Sequence, residues 1–353
     1  MRSTARSDPL PRMQQVLASE RQKLWITTAA SQSQLRVSEI AAAGVSSELI
    51  DELRAEVARL AADYVHLPLW SIFDDIVTAR DLVFDLLDQR QRPADARELF
   101  FLGGAACLLL AHASHNLGDR PSAFIQLRSA SVCAEAADRA ALHAWRLSTE
   151  ALINDGLAKP QVAAERAAEG LRFSASGESH AMLAGIKARA LARLGNRAAA
   201  LAAVGEFEAA RSHDGPSDDV CDLGGVLSFP HAKQEYYLGS IHGLLGSHAR
   251  AEQHAGAALA AYESGPAEER SYGDEALARL DIVNARLWAG DFDGGAEALA
   301  VVLTLPEELR IRQLGPAINR TRAMVVPWAR RSRAAGEMLS AVDDQYGAWG
   351  PRP

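Results

Sequence analysis

The sequence predicts an all-α chain built as a solenoid of antiparallel helix pairs, and three observations carry that prediction. Helix formers dominate, with alanine runs such as Ala198-Ala199-Ala200 and Ala257-Ala258, while Gly and Pro fall mostly at apparent turns. Short turns of similar chemistry recur along the chain, and a small residue follows each at a fixed offset. Residues 229–259, FPHAKQEYYLGSIHGLLGSHARAEQHAGAAL, show the unit best. Two helices meet there at Leu245-Gly246-Ser247, with Gly239 midway along the first and Ala251, Ala255 and Ala258 along the second, where the two would touch closely.

Composition narrows the function classes. A chain of 353 residues with 48% hydrophobic residues can bury a large core; length alone would allow about two domains, but a solenoid needs no such division. A formal net charge of −8 argues against a chain-wide nucleic-acid footprint, which needs clustered Lys and Arg. Cys107, Cys133 and Cys221 show no CxxC pairing and read as buried small hydrophobes in a reducing compartment. No apolar stretch follows the arginine-bearing N-terminus as in a signal peptide, and no uninterrupted apolar run reads as a membrane span. The expected location is the cytoplasm, with no membrane partner.

In chain order, residues 1–20 carry Pro9 and Pro11 and read as a flexible leader. Residues 21–93 form a helical segment expected to pack on the array. Within it Leu49, Leu53, Val57 and Leu60 recur at helical spacing, predicting a helix over 47–65 with Ser46 or Ser47 as its N-cap. Pro68 breaks it, and LWSIFDDIVTARDLVFDLL predicts a second helix over 69–87. The string from Ile40 to Ser46 resembles the centre of a helix-turn-helix, yet it is one residue short between its first Ala and its Gly. Its would-be recognition helix carries Glu48, Asp51, Glu52 and Glu56, the wrong sign for phosphates, so direct DNA binding is disfavoured.

Residues 94–305 hold the repeats. Turns fall at 117–119, 157–159, 194–196, 245–247 and 289–291, separated by 40, 37, 51 and 44 residues. Five residues after each turn stands Ala123, Ala163, Ala200, Ala251 or Gly295, as the tetratricopeptide pattern requires where the second helix approaches the first. Inside the first helices the small residue is Ala111, Ala151, Ala188 and Gly239; Val283 departs from it and predicts a wider crossing in the last unit. This is a TPR-like α-solenoid. Residues 213–228, rich in Gly, Pro and Asp, read as a long loop that is either a lid over the groove or unstructured, and 263–270 as a second loop. Residues 306–353 supply capping helices, one over about 310–325 and one ending near Tyr346. The oligomeric state is open, and capping helices of this kind often pair into a homodimer.

The strings FPHAKQEYYLGSIHGLLG, AYESGPAEERSYGDEALARLDIVNARLWAGDFDGGAEAL and LPEELRI resemble the tetratricopeptide-like region of actinobacterial helix-turn-helix regulators of the XRE type. The resemblance runs from about residue 40 to 330 and implies regulation by a ligand or protein contact, here without the N-terminal DNA-binding domain of those regulators. The alternative is a transcriptional regulator contacting DNA directly or through a DNA-binding partner.

No catalytic signature is present: there is no HExxH and no phosphate-binding glycine loop, and residues 239–243 do not form a nucleophile elbow. No cofactor or metal is expected, since His112 and His115 lack a third ligand nearby. Counting back from each turn, the residues facing the concave side are His112, His115 and Asn116; Trp145 and Ser148; Arg189 and Arg193; Lys233, Tyr236 and Ser240; and Asn284 and Trp288. Arg270 and Tyr272 are further candidates, while Ser271 and Asp274 read as a local cap. Arg189, Arg193, Lys233, Tyr236, Ser240, Asn284, Trp288, Arg270 and Tyr272 therefore form the candidate site. Its expected occupant is a peptide, a small signal molecule or a protein partner.

Overall fold

The computed structural model describes residues 27–34, 45–212, 218–266 and 270–349. The leader over 1–20 and the helix-turn-helix-like residues 40–44 lie outside them. After a short helix, α1 over 27–34, the described chain forms helix pairs joined by short turns, and no strand. The pairs are α2 (Ser47–His66) with α3 (Leu69–Leu87), α4 (Pro93–Leu117) with α5 (Arg120–Ala137), and α6 (Ala140–Gly156) with α7 (Pro160–Gly170). They continue with α8 (Gly177–Arg193) and α9 (Arg197–Arg211), α10 (His231–Leu244) and α11 (His248–Ser264), α12 (Tyr272–Ala289) and α13 (Phe292–Leu303), and α14 (Leu314–Val325) and α15 (Arg333–Trp349). The architecture is a TPR-like α-solenoid.

Local chemistry sets the helix starts. Ser46 Oγ accepts from Leu49 N at 3.2 Å, Asp119 Oδ1 from Ser122 N at 3.0 Å, Asn196 Oδ1 from Ala199 N at 3.2 Å, and Asp291 Oδ1 from Gly294 N at 2.9 Å. Each such cap satisfies an amide that the first helical turn leaves without a partner. Ser271 Oγ likewise accepts from Asp274 N at 3.3 Å.

Small residues then let the two helices of a pair approach. Ala123, Ala163, Ala200 and Ala251 are all buried. A Cβ at Gly239 would stand 3.1 Å from Ala255 N and 3.2 Å from Ala251 O. Gly239→Val should therefore push α10 from α11 and lower stability by about 2 kcal/mol in chemical denaturation. Gly256→Ala, where a Cβ would meet nothing within 4 Å, should be neutral or slightly stabilising. An equal effect at both positions would refute close packing at Gly239.

The inner layer consists of the first helix of each pair, and α2, α4, α6, α8, α10 and α12 each pack on the next. Helix α12 also meets α2, so these six helices close a ring. A hydrogen-bonded chain links its two ends: Asn116 Nδ2 donates to Tyr64 Oη at 2.8 Å, and Gln313 Nε2 donates to Asn116 Oδ1 at 2.7 Å. Six helices spaced about 9 Å apart stand about 9 Å from the ring axis, which leaves room for side chains and little more.

One side of that space is apolar core. Leu53, Val57 and Leu60 of α2 are buried with Val220, Leu223 and Leu227. The loop predicted over 213–228 is thus ordered in its described part. Residues 218–228 form two short 3-10 turns, Cys221–Leu223 and Gly225–Leu227, packed across α2. Its Gly, Pro and Asp residues signalled a loop correctly, while the apolar residues between them seat it. A second core, with Leu280, Leu299, Val302, Leu314, Ile318 and Met338, joins α12 to the last helices.

One sequence expectation is corrected. Helix α14 begins at Leu314, because Pro306 opens a 3-10 turn over Glu307–Leu309 and Ile311 inserts beside Gly273. Helix α4 is long and apolar enough, by length and a mean hydropathy of 1.3 over its best window, to cross a bilayer, although His112 interrupts its apolar run. That window is 72% buried, because α4 is the core helix gripped by α2, α3, α5 and α6.

Candidate functional site

The polar side of the ring is the candidate site, and five of the six inner helices contribute to it. Helix α4 supplies His112, His115 and Asn116; α6 supplies Thr149 and Asp155; α8 supplies Arg189 and Arg193; α10 supplies Lys233 and Tyr236. Helix α12 adds Asp274 and Asp281, and α14 adds Arg320.

At its centre Asp155 lies between two guanidinium groups, 3.1 Å from Arg189 Nε and 2.9 Å from Arg193 Nε. The Arg189 guanidinium also stacks on Tyr237, 4.4 Å from the ring centroid. Burial first, and then the neighbouring guanidinium groups of Arg189 and Arg320, hold Arg193 below the usual arginine range against the opposing pull of Asp155. Tyr236 is 6% exposed, and its hydroxyl has no hydrogen-bond partner among the described residues. Lys233 Nζ has only the Ser228 carbonyl, at 3.5 Å, and sits close enough to His112 to disfavour its protonation.

Asp281 is half-buried on α12. Burial pushes its carboxyl up to about 7, against the pull of Arg320, Arg189 and Arg193. It makes no hydrogen bond or ion pair with the described residues. His112, hydrogen-bonded to Thr149 Oγ1 at 3.1 Å, is held down to about 3 by burial first and Lys233 second. His115 is held down to about 4 by burial and by Arg312. Both imidazoles are neutral at pH 7.

The structure brings Arg189, Arg193 and Tyr236 together, with Ser240 one turn further along α10 and partly open, while Lys233, one turn earlier on α10, lies beside His112 and the Ser228 carbonyl. The other predicted residues lie elsewhere. Arg270 is engaged locally, its Nε 2.6 Å from Glu275 Oε2 and its guanidinium 6.0 Å from the half-buried Tyr272 ring. Asn284 Oδ1 accepts from Thr321 Oγ1 at 2.8 Å. Trp288 is 66% exposed and stacks on His248, with centroids 4.7 Å apart, so it stands at the rim. Trp145 fills the core.

Sequence reading missed Asp155, Asp281 and Arg320. Asp281 shares one helical stripe with Asn284 and Trp288, at i, i+3 and i+7, so counting one turn further back along α12 would have found it.

A separate open cavity of about 470 Å³ lies outside the ring, lined by Glu208, Arg211, Ser212, His231 and Gln234. Its arginine is already matched. Arg211 pairs with Glu235, which also accepts from His254 Nδ1 at 2.7 Å. Burial alone would raise the Glu235 carboxyl, but these two partners hold it down at about 2.

No protein-family model matches the chain, and no curated protein matches it. Among solved structures it is similar to a tetratricopeptide repeat protein from Parabacteroides merdae, at 12% identity, a TM-score of 0.40, and coverage of 81% of this chain and 99% of that one.

Proposed function

We propose that this protein is a non-enzymatic regulatory binding protein that holds a small signal molecule in the polar lumen of its inner helices. One observation carries the reading: the Tyr236 hydroxyl and the Asp281 carboxyl, from α10 and α12, have no hydrogen-bond partner among the described residues, and the nearby Lys233 ammonium of α10 has only the Ser228 carbonyl at 3.5 Å. Buried polar groups are normally satisfied, and groups left open toward a common space are what a ligand completes. The narrow ring favours a small molecule over a peptide helix or a folded partner inside it. A regulatory role in the cytoplasm rests on the resemblance to XRE-type regulators.

A thermal-shift screen of metabolites tests this. A true ligand should raise Tm in the parent, and the rise should vanish in Lys233→Ala and Tyr236→Phe while their unliganded Tm and circular dichroism stay unchanged. If both variants bind as tightly as the parent, the lumen is not the site.

Action through DNA is favoured only in its indirect form. The inward face of α2 is buried, and its exposed face carries Glu48, Asp51 and Glu52. An electrophoretic shift by the isolated protein at low salt would reverse that preference.

A further inference from the structure

We infer that two copies of this chain associate, the acidic outer face of α3 on one lying across a basic, aromatic rim on the other, where α8, α10, α12 and α14 end. The contact does not depend on the lumen being a binding site.

The rim is a row of apolar side chains near the C-terminal ends of successive helices. Leu194 caps α8, Leu244 ends α10, Trp288 stands at the end of α12 and Trp328 follows α14; all are exposed, Trp288 at 66%. Contacts between neighbouring turns join them into one surface. Arg197 Nη1 donates to the Leu245 carbonyl, Trp288 stacks on His248 with centroids 4.7 Å apart, and Phe292 meets Trp328 at 5.6 Å. The four helices pack side by side in chain order, so at about 9 Å per helix the row runs about 27 Å. Single exposed apolar residues are ordinary, but a connected row holding two tryptophans marks an interaction surface.

The charge along this row is positive. Arg250, in the first turn of α11, and Arg330 and Arg331, after α14, are exposed and make no ion pair with the described residues. Against them stands the exposed Asp293, while Glu252 is engaged by Arg286 at 2.8 Å and Asp291 caps α13.

Helix α3 carries the complement. Trp70, Asp74, Asp81, Asp85 and Asp88 fall within about 60° of one another around its axis. All five are exposed, Trp70 at 71%, and Val77 lies half-buried among them. Asp81 pairs with Arg80, but Asp74, Asp85 and Asp88 make no ion pair with the described residues. Three of these acids crowd the C-terminal turns of α3, where the helix's own carbonyls already carry partial negative charge. Local helix chemistry disfavours them there, and a cationic partner compensates. From Trp70 to Asp88 the face is about 27 Å long, at ~1.5 Å per residue, matching the rim. In its own molecule α3 packs on α2 and α4 through its opposite face, so the rim that meets it belongs to another copy. Each copy carries both surfaces, and association either closes as a two-fold pair making the contact twice or continues from copy to copy.

Sedimentation velocity of the full chain at low salt, from about 2 to about 200 µM, should show reversible association. Two variants block one surface each: Trp288→Ala with Arg330→Glu and Arg331→Glu on the rim, and Trp70→Ala with Asp85→Lys and Asp88→Lys on α3. Each alone should keep the parent's circular dichroism and associate at least about a hundredfold more weakly. Mixed, they should form a heterodimer, because the intact α3 of the first meets the intact rim of the second, and that recovery also shows that both variants are folded. A parent that stays monomeric throughout overturns the inference. So does either variant that still self-associates as the parent does, or a mixture that stays monomeric.

Discussion

Gly225→Ala is expected to unseat the 218–228 segment from α2 and to destabilise the protein by about 3 kcal/mol. Gly225 has φ +54°, and a Cβ there would collide with the carbonyl of Ala61 and the backbone nitrogen of Ala62. Those atoms belong to the middle of a helix and cannot retreat without breaking its ladder. The neighbouring Gly224, at φ +73° with nothing within 4 Å of a Cβ, supplies the control. Gly224→Ala should cost about 1 kcal/mol, for backbone conformation alone. Denaturant unfolding measures both, and limited proteolysis should cut Gly225→Ala within 213–228 well before the parent. Equal stability losses in the two variants would show that the segment does not rest on α2. Docking of this segment also anchors α2 inside the ring, so its loss should weaken ligand binding in the lumen.

Asp281→Asn should stabilise the protein at pH 8 and leave it nearly unchanged at pH 4. The folded carboxyl sits at about 7. An unfolded aspartate sits near ~3.9, so the folded form binds the extra proton. A raised carboxyl value is a destabilising contribution: it is small below about pH 4, grows as pH climbs through the window between the two values, and levels off above 7. Because Asp281 keeps some solvent access, the gain from Asp281→Asn is expected to reach about 2 kcal/mol rather than the full amount implied by the shift. Thermal unfolding of both proteins from pH 4 to 8 checks it. A pH-independent difference would mean that Asp281 keeps an ordinary carboxylate value.

Arg189 and Asp155, at 7% and 5% exposed, hold each other in place beside Tyr237, and replacing either would leave an unpaired buried charge.

Much of the fold was legible in the sequence because its signals are local. Helix α3 runs from Leu69 to Leu87 as its apolar spacing predicted, and α2 begins after Ser46, the residue whose side chain caps it. The turns at 118, 195, 246 and 290 fall where a glycine interrupts the helical pattern. Ala123, Ala163, Ala200 and Ala251 are buried between paired helices because only a small side chain fits that approach. Helical periodicity fixes which face a residue takes once its turn is known, which is why Arg189 and Arg193 meet one carboxylate with Tyr236 nearby.

What the tertiary structure alone decided is the closure of the ring. Helical spacing gives each helix an inner face but says nothing about how far successive pairs rotate, and that rotation brings α12 against α2 and Gln313 against Asn116. It also brings Asp281 and Arg320, 39 residues apart in the chain, to the same polar space as Arg193. The sequence by itself determined a helical-pair solenoid with a polar inner face. Long-range packing turned that face from an open groove into a narrow lumen, and with it set which charges have partners and how high the Asp281 carboxyl titrates, because desolvation depends on everything that surrounds a group.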